Sequence, residues 1–567
     1  MAIVPFAEFR PDSSDLNAEH TQVLSNVVPR SDGYGPFYGL EAFSGALGDV
    51  CRGFFCAYRT DGSVLIFAAT ASKIYTLNAT YQGWTDVSKN GGSYTDCPTD
   101  GHWSFAQFNN YVIAVQRNCS PQVFDITSAT EFSDLGGSPP MAGGIAIVNR
   151  FVVLFDLADN PYRIRWSGLN APTQWTVATN YSDFQDMSDG GRVRGVAGGE
   201  FGLILQEQVT RRMIYQPGSS VVFTIEKIEN SRGILAQYSL CQASNRIFYL
   251  SPAGFAEATG DGAITPIGAE RVDRTILGDG NTAGDLDTNE LQMCISAPDP
   301  ARNIVLFVYK SRTGNDGQFD KGLVYNYLLK RWAPVEFSGE FIGPTAKPGT
   351  TLESLDYITD YEAITNAADN GSGGIRITVA DATAWVTGDV LAIQDVTGTT
   401  EANGNWTITY VDDTNIDLDG STFTNAYTGG GIVGGSMDAL TVSFDDYTSA
   451  ALPQLAGFST AHKLGFFSGD ALEAVLTTGE VIGERRRVYV NGAQPITDAE
   501  EAYCSVVTRD RLSFSLTYGV ESEMDDDGYC PLLDEARSGR LRLRIPAGTT
   551  WTFAKGLTPE LRQAGRF

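Results

Sequence analysis

Short apolar runs recur along the first 335 residues at nearly even intervals. They read VLIF at Val64–Phe67, YVIAV at Tyr111–Val115, FVVLF at Phe151–Phe155, FGLIL at Phe201–Leu205, RIFYL at Arg246–Leu250 and IVLFVY at Ile304–Tyr309. Between their central residues (Ile66, Ile113, Val153, Ile204, Phe248, Leu306) the spacings are 47, 40, 51, 44 and 58. Each run is too short for a typical helix and rich in β-branched and aromatic residues, the signature of a strand buried on both faces. A second strand pattern follows about ten residues later, as in KIYTL at Lys73, QVFDI at Gln122, RIRWS at Arg163 and RMIYQ at Arg212. An aromatic beside a small or β-branched residue comes next, at Trp84, Phe132, Trp175, Phe223 and Trp332. A weaker strand precedes the central run, as in SFAQF at Ser104 and GIAIV at Gly144. Four strands per period of about 45 residues predict a β-propeller blade. One such blade has two apolar faces and must stack on neighbours to bury them. Six blades are expected between Gly48 and Phe337. Tandem meanders forming sandwiches are the competing arrangement, and the even spacing favours the propeller.

The pattern changes after the repeats. Residues 360–437 hold eleven acids and one base, Arg376, between glycine-rich borders. Its strands read IRITVA, DVLAIQDV, NWTITYV and IDLDG, which predicts a small β-barrel inserted in a loop of the propeller. The flanking stretches SLDYI at Ser354 and SMDALTVSFDD at Ser436 resemble one another and are expected to pair. From about Ala451 the chain returns to strands that complete a seventh blade. Residues 481–567 carry 12 bases and 13 acids and predict a compact sandwich or a set of outer strands. The expected organisation is an amino-terminal arm (1–47), propeller blades (48–359), the inserted acidic barrel (360–437), final propeller strands (438–480) and a C-terminal β-rich region (481–567). The predicted fold class is therefore all-β: a β-propeller of about six to eight blades with an inserted small β-barrel and a C-terminal β-rich region.

Composition narrows the chemistry. With 40 bases against 68 acids the net charge is −28, which disfavours a groove that grips phosphates. The 567 residues, 61 of them glycine, suit many short strands joined by tight turns. Eight cysteines are scattered without a C-x-x-C pair, so neither a metal ribbon nor a dense disulfide scaffold is expected. The opening MAIVPFAEFRPDSS does not read as a signal peptide, and no apolar run is long enough to span a bilayer.

Few residues suggest catalysis, and no enzyme activity, cofactor or metal is expected. His20, His102 and His462 are far apart in sequence and lack zinc-ligand spacing. GFSTA at Gly457 centres Ser459 in part of a nucleophile elbow but lacks the final glycine. Asn415, Asp417 and Asp419 before Gly420 approach a calcium loop, but Ala426 stands where a bidentate acid is needed. Asp285, Asp287 and Asn289 fail in the same way at Glu290. Asp525, Asp526 and Asp527 read as a solvated turn, and Trp84, Trp175 and Trp332 read as core at equivalent blade positions. The strand RLRLRIP places Arg540, Arg542 and Arg544 on one face, with Leu541, Leu543 and Ile545 toward the core. Together with Arg485, Arg486 and Arg487 this makes a candidate interface for an acidic partner or a neighbouring subunit. The competing reading is a solvent face paired with Glu484 or Asp534.

Three stretches resemble the nozzle proteins of short-tailed bacteriophages, also called tail tubular or packaged-DNA-stabilising proteins. They are VVPRSDGYGPFYGLEAFSG from Val27, GFSTAHKLGFFSGDALEAVLTTGE from Gly457 and RLRLRIPAGTTWTFAKG from Arg540. The acidic insert is similar to small β-barrel modules added to phage tail proteins. The resemblance implies a virion protein assembled in the bacterial cytoplasm. It also implies a homohexameric tube below the portal and its head–tail adaptor ring, with tail fibre or tailspike proteins attached. Double-stranded DNA would pass through its lumen without sequence-specific binding. It transfers no gate residue onto this chain. The alternative is a polysaccharide-binding or polysaccharide-cleaving propeller acting in host recognition, which requires paired acids and aromatic platforms in a concave face. A third reading, a bacterial surface or scaffolding propeller, is disfavoured by the absence of a recognisable export signal.

Overall fold

In the computed structural model, residues 3–14, 19–78, 81, 83–219, 221–260, 262–347, 362–383, 385–435, 453–482, 487–511 and 514–563 are described. The chain divides into two compact units, Met1–Leu77 with Gly83–Lys347 and Leu452–Phe567, and Asn78–Gln82 with Pro348–Ala451.

The first unit contains a β-propeller of seven four-stranded antiparallel sheets. Six follow in sequence order, from blade 1 (Phe54–Tyr58, Val64–Ala69, Ile74–Leu77, Trp84–Asp86) to blade 6 (Cys294–Asp299, Ile304–Tyr309, Phe319–Asn326, Arg331–Gly339). The second strand of each is the apolar run read from the sequence. In blade 3, for example, every residue of Phe151–Leu157 is buried. Asparagines help close the hairpins after the first strand, because Asn tolerates left-handed backbone. Asn109 and Asn149 adopt φ of +53° and +56°. Apolar layers fill the spaces between blades: Phe67, Phe124 and Phe132 between blades 1 and 2, and Phe151, Trp166 and Phe223 between blades 3 and 4.

Blade 7 closes the ring from both parts of the chain. Its strands are Phe341–Thr345, Gln454–Phe458, Lys463–Phe466 and, outermost, Glu41–Ala46. The register Lys463↔Ala46 and Gly465↔Ala42 brings together strands more than 400 residues apart. The first strands of all seven blades line one axial cavity.

Three expectations change here. Residues 1–47 are not an arm: Glu41–Ala46 completes blade 7, while Val4–Pro5, Leu24–Ser25, Val27–Arg30 and Gly33–Pro36 join the C-terminal sheets. Residues 438–480 are not all propeller, because Ala474–Thr477 pairs with Ser538–Ile545. Trp175 is not at a position equivalent to Trp332. The outer strand of blade 3 is Asp183–Asp186, and Trp175 precedes it in a loop, fully buried, with Nε1 donating to the Pro172 carbonyl at 2.7 Å. Loop burial imitated the aromatic mark of a strand.

The C-terminal region is a sandwich of two sheets. One runs Cys530–Ala536, Val488–Thr497, Ala554–Gln563, Gly33–Pro36, Val27–Arg30; the other runs Leu24–Ser25, Ala474–Thr477, Ser538–Ile545, Tyr503–Arg509, Thr517–Tyr518. Their inner faces share Val490, Cys504, Leu543 and Leu557, joined by Trp551 from the loop before Ala554 and continuous with Phe307 and Trp332 of the propeller.

In the second unit, a seven-stranded sheet wraps one core of Ile375, Ile377, Leu391, Ile408, Ile416 and Val433. Strand Gly404–Asp412 joins its halves, pairing with Val390–Gln394 near one end and with Asn415–Leu418 near the other. The flanks at Ser354 and Ser436 lie outside the described residues.

Candidate functional site

Strand Ser538–Ile545 positions the predicted arginines. Alternation puts Arg540, Arg542 and Arg544 on one face, opposite Val507, Ser505 and Tyr503 of the neighbouring strand. Leu541, Leu543 and Ile545 point into the core. The arginines do not share one environment. Arg540 is 4% exposed and contacts Glu480, which is itself 1% exposed. Glu480 also accepts from Arg509 Nε at 2.8 Å and from Ser538 Oγ, so one carboxylate serves two buried guanidiniums. Arg542 reaches Glu521 at 2.6 Å; Arg544 reaches Glu521 at 2.8 Å and Glu473 at 3.3 Å. Burial works to lower the Arg544 guanidinium, but its bonds to Glu521 and Glu473 outweigh that and raise it. Tyr503 lies beneath Arg544, 4.4 Å from ring centre to guanidinium carbon.

Arg487 pairs with Asp510 at 3.0 Å and Glu535 at 3.6 Å, whereas Arg485 and Arg486 lie outside the described residues. Glu484, one of the expected partners, lies outside them as well. Asp534, the other, is not among the partners found: its Oδ2 is buried without a hydrogen bond, and burial pushes its carboxyl up. The face therefore presents compensated charges and stacked tyrosine rather than a field of excess positive charge.

The axial cavity of the propeller has no counterpart in the sequence reading. It holds about 470 Å³ and is lined by Phe54, Phe105, Phe341, Trp103 and Tyr238, with Arg194 as its charged group. Gly144, in a first strand, is required by packing: a Cβ there would lie 2.2 Å from the Phe155 ring. His102, which precedes the first strand of blade 2, packs on two residues of that lining, Tyr238 and Phe341. Its backbone N–H donates to the Tyr238 hydroxyl at 2.8 Å, and its Nε2 is 3.1 Å from the Gln292 carbonyl. Its ring packs edge-on against Tyr238 and Phe341. Burial, aided by the nearby Arg52 charge, lowers the imidazole to about 3. His102 is thus a neutral buried group that ties the start of blade 2 to Tyr238, Gln292 and Phe341.

The remaining motifs separate in space. Asp417 is held by Arg376 at 2.6 Å and Asp419 by the Thr409 hydroxyl at 2.8 Å, so both spend their oxygens within the sheet. Asp285 and Asp287 bind Lys321 and Lys310 at 2.9 and 2.6 Å, where lysine ammonium groups take the place of a cation. Ser459 caps a hairpin turn, and His462 faces Glu340 at 2.5 Å rather than the serine. Asp525 accepts the backbone N–H groups of Asp527 and Tyr529 in a turn. Among the described residues no group of three or more His, Cys, Asp or Glu side chains is placed to hold a metal ion.

No family model matches the sequence, and no curated protein matches it. Solved structures similar to this chain include the mitotic checkpoint complex (9% identity, TM-score 0.34, 56% of this chain and 91% of that one). Another is dihydro-heme d1 dehydrogenase NirN in complex with DHE (10%, 0.29, 67% and 73%). A third is YCF48 bound to D1 peptide (12%, 0.30, 53% and 86%). At such identity a likeness speaks to fold alone, and the seven-bladed assignment rests on the sheet order of this chain.

Proposed function

We propose that this protein is a structural component of a phage tail. It forms a hexameric nozzle that extends the portal and adaptor channel, retains packaged double-stranded DNA and conducts it during ejection. One observation carries the reading. The first of the three stretches that resemble nozzle proteins lies more than 400 residues before the other two, yet all three meet in one region of the fold. The Val27 stretch pairs with the Gly457 stretch through Gly465↔Ala42. The Gly457 stretch pairs with the Arg540 stretch through Val475↔Arg544, and the latter returns to the first through Ala554↔Tyr34. The likeness thus follows a single three-dimensional module, the closing blade and the sandwich beside it.

The charge fits a conduit. Six chains of −28 each give a ring of about −168, and acidic walls repel phosphates at close range instead of trapping them through counterion release. A closed propeller is also a suitable rigid part, since opening it means breaking a four-stranded sheet. Size-exclusion chromatography with light scattering tests the reading on the 61.1-kDa chain, alone and mixed with its adaptor ring. A hexamer in either condition is expected. A monomer in both, with turnover of host polysaccharide, overturns it in favour of the glycan-directed alternative.

A further inference from the structure

At one end of the C-terminal sandwich, where strand Val488–Thr497 begins and Ala554–Gln563 closes, the two sheets leave a cavity of about 150 Å³ between them. Its walls are Val490, Pro559 and Leu561 from one sheet and Val506 and Leu541 from the other. Val490, Val506 and Leu541 are buried, whereas Leu561 is 56% exposed, so the cavity runs from the interior to the surface. The polar groups in the wall are already committed. The Thr478 hydroxyl donates to the Gly479 carbonyl at 3.1 Å and accepts the Leu541 N–H at 3.0 Å. Ser538 Oγ and the Arg540 guanidinium both bond to Glu480. A molecule inside therefore meets hydrocarbon, and a polar group carried there without a partner would cost about 1–3 kcal/mol. The rim differs. Arg537 is exposed at the bend that carries the chain from strand Cys530–Ala536 of one sheet to Ser538–Ile545 of the other. Arg537 and Arg540 are the charged residues among the described ones that line the cavity, and both are cations, in a chain whose acids outnumber its bases 68 to 40.

We infer that this cavity binds a medium-chain aliphatic carboxylate, its alkyl chain between the sheets and its carboxylate on Arg537 at the rim. Volume sets the chain length. A dry apolar cavity of ~150 Å³ accepts a molecule the size of benzene, about six carbons, and a further one or two carbons along Leu561 carry the head to the surface. The guanidinium fork suits a carboxylate, which it can hold through two parallel hydrogen bonds. A sugar or a free phosphate has no chain to fill the interior, and an alkane gains nothing from Arg537. The site stands apart from any tail assembly, since one chain supplies all of it.

Equilibrium dialysis of the full-length chain against radiolabelled octanoate, with thermal unfolding in parallel, tests the site. One ligand per chain is expected, with a higher unfolding midpoint because the ligand binds only the folded state. From butanoate to hexanoate the affinity should climb about fourfold per methylene, the equivalent of ~0.8 kcal/mol, and it should level off beyond octanoate. Arg537→Ala should weaken octanoate about fivefold and leave octanol unchanged, while Arg537→Lys restores part of the loss. Val506→Phe, which fills the cavity, should remove both ligands. Absence of saturable octanoate binding, affinity indifferent to chain length, or an Arg537→Ala variant that binds octanoate as before would each overturn the site. The chain-length series on the unaltered protein and the surface variants of Arg537 decide the matter even if Val506→Phe fails to fold.

Discussion

His102 combines a neutral imidazole with contacts to Tyr238, Gln292 and Phe341, which are far from it in the chain, and both properties come from burial. In the unfolded chain its imidazole titrates near the usual ~6.5, and in the fold only at about 3. Between these values the unfolded state binds more protons, so the contribution to stability is complete above pH 6.5 and is lost as pH falls toward 3. The loss is about 1.4 kcal/mol per pH unit in that window. Asp273 runs the other way, because burial raises it to about 6 and its contribution fades as pH rises through that value. A comparison of denaturation midpoints between His102→Asn and the unaltered chain from pH 7 to 4 isolates the histidine: their difference should shrink as pH is lowered. Glu480 offers a second expectation at this scale. Glu480→Gln removes the charge facing Arg509 and Arg540, both buried, and should destabilise the sandwich by about 3–5 kcal/mol, read as a lower urea midpoint. Neither role was visible in the sequence, where His102 stood as one of three scattered histidines and Glu480 as one acid among many. Both depend on neighbours brought together by folding: Tyr238 and Gln292 for the histidine, Ser538 and Arg540 for the glutamate.

Strands were the most legible elements, because a strand buried on both faces leaves an uninterrupted apolar run that few other structures tolerate. All six central runs became second strands of blades. Elements that close the ring were legible only as isolated strands. EAFSGA at Glu41–Ala46 has the pattern of an edge strand, and nothing local indicates that its partner is Lys463–Phe466. Removal of residues 1–46 takes away the outer strand of blade 7 and strands of both sandwich sheets. The truncated chain should lose its cooperative thermal transition, followed by circular dichroism, and elute as aggregate. Gly144→Ala is a milder probe of the same ring. The added methyl must displace the Phe155 ring in the layer between blades, at a cost of about 1–3 kcal/mol, measurable as a lower unfolding midpoint.

Across the whole molecule, electrostatics set the expectation. Chains of −28 repel one another, and added salt screens that repulsion over a Debye length of about 8 Å at 0.15 M. If the chain assembles as proposed, the hexamer fraction in light scattering should rise with salt, from about 0.02 to 0.3 M, before it levels off. A fluorescent duplex should show no binding at any of these concentrations, because no excess of cations is available for counterion release. Basic patches read from sequence do not alter this. Arg542 and Arg544 are answered by Glu521 and Glu473 in the fold, and Arg540 is inside it.

What the sequence determined by itself is the all-β class, the blade period and the acidity, since these follow from side-chain patterning and charge within short windows. Tertiary structure alone decided that the amino-terminal residues close the seventh blade, that Trp175 packs from a loop, and that the arginines meet carboxylates. The physical reason is range. Patterning selects which face of a strand is buried, whereas partners hundreds of residues apart are chosen only when loops close and whole sheets compete for the same apolar surface.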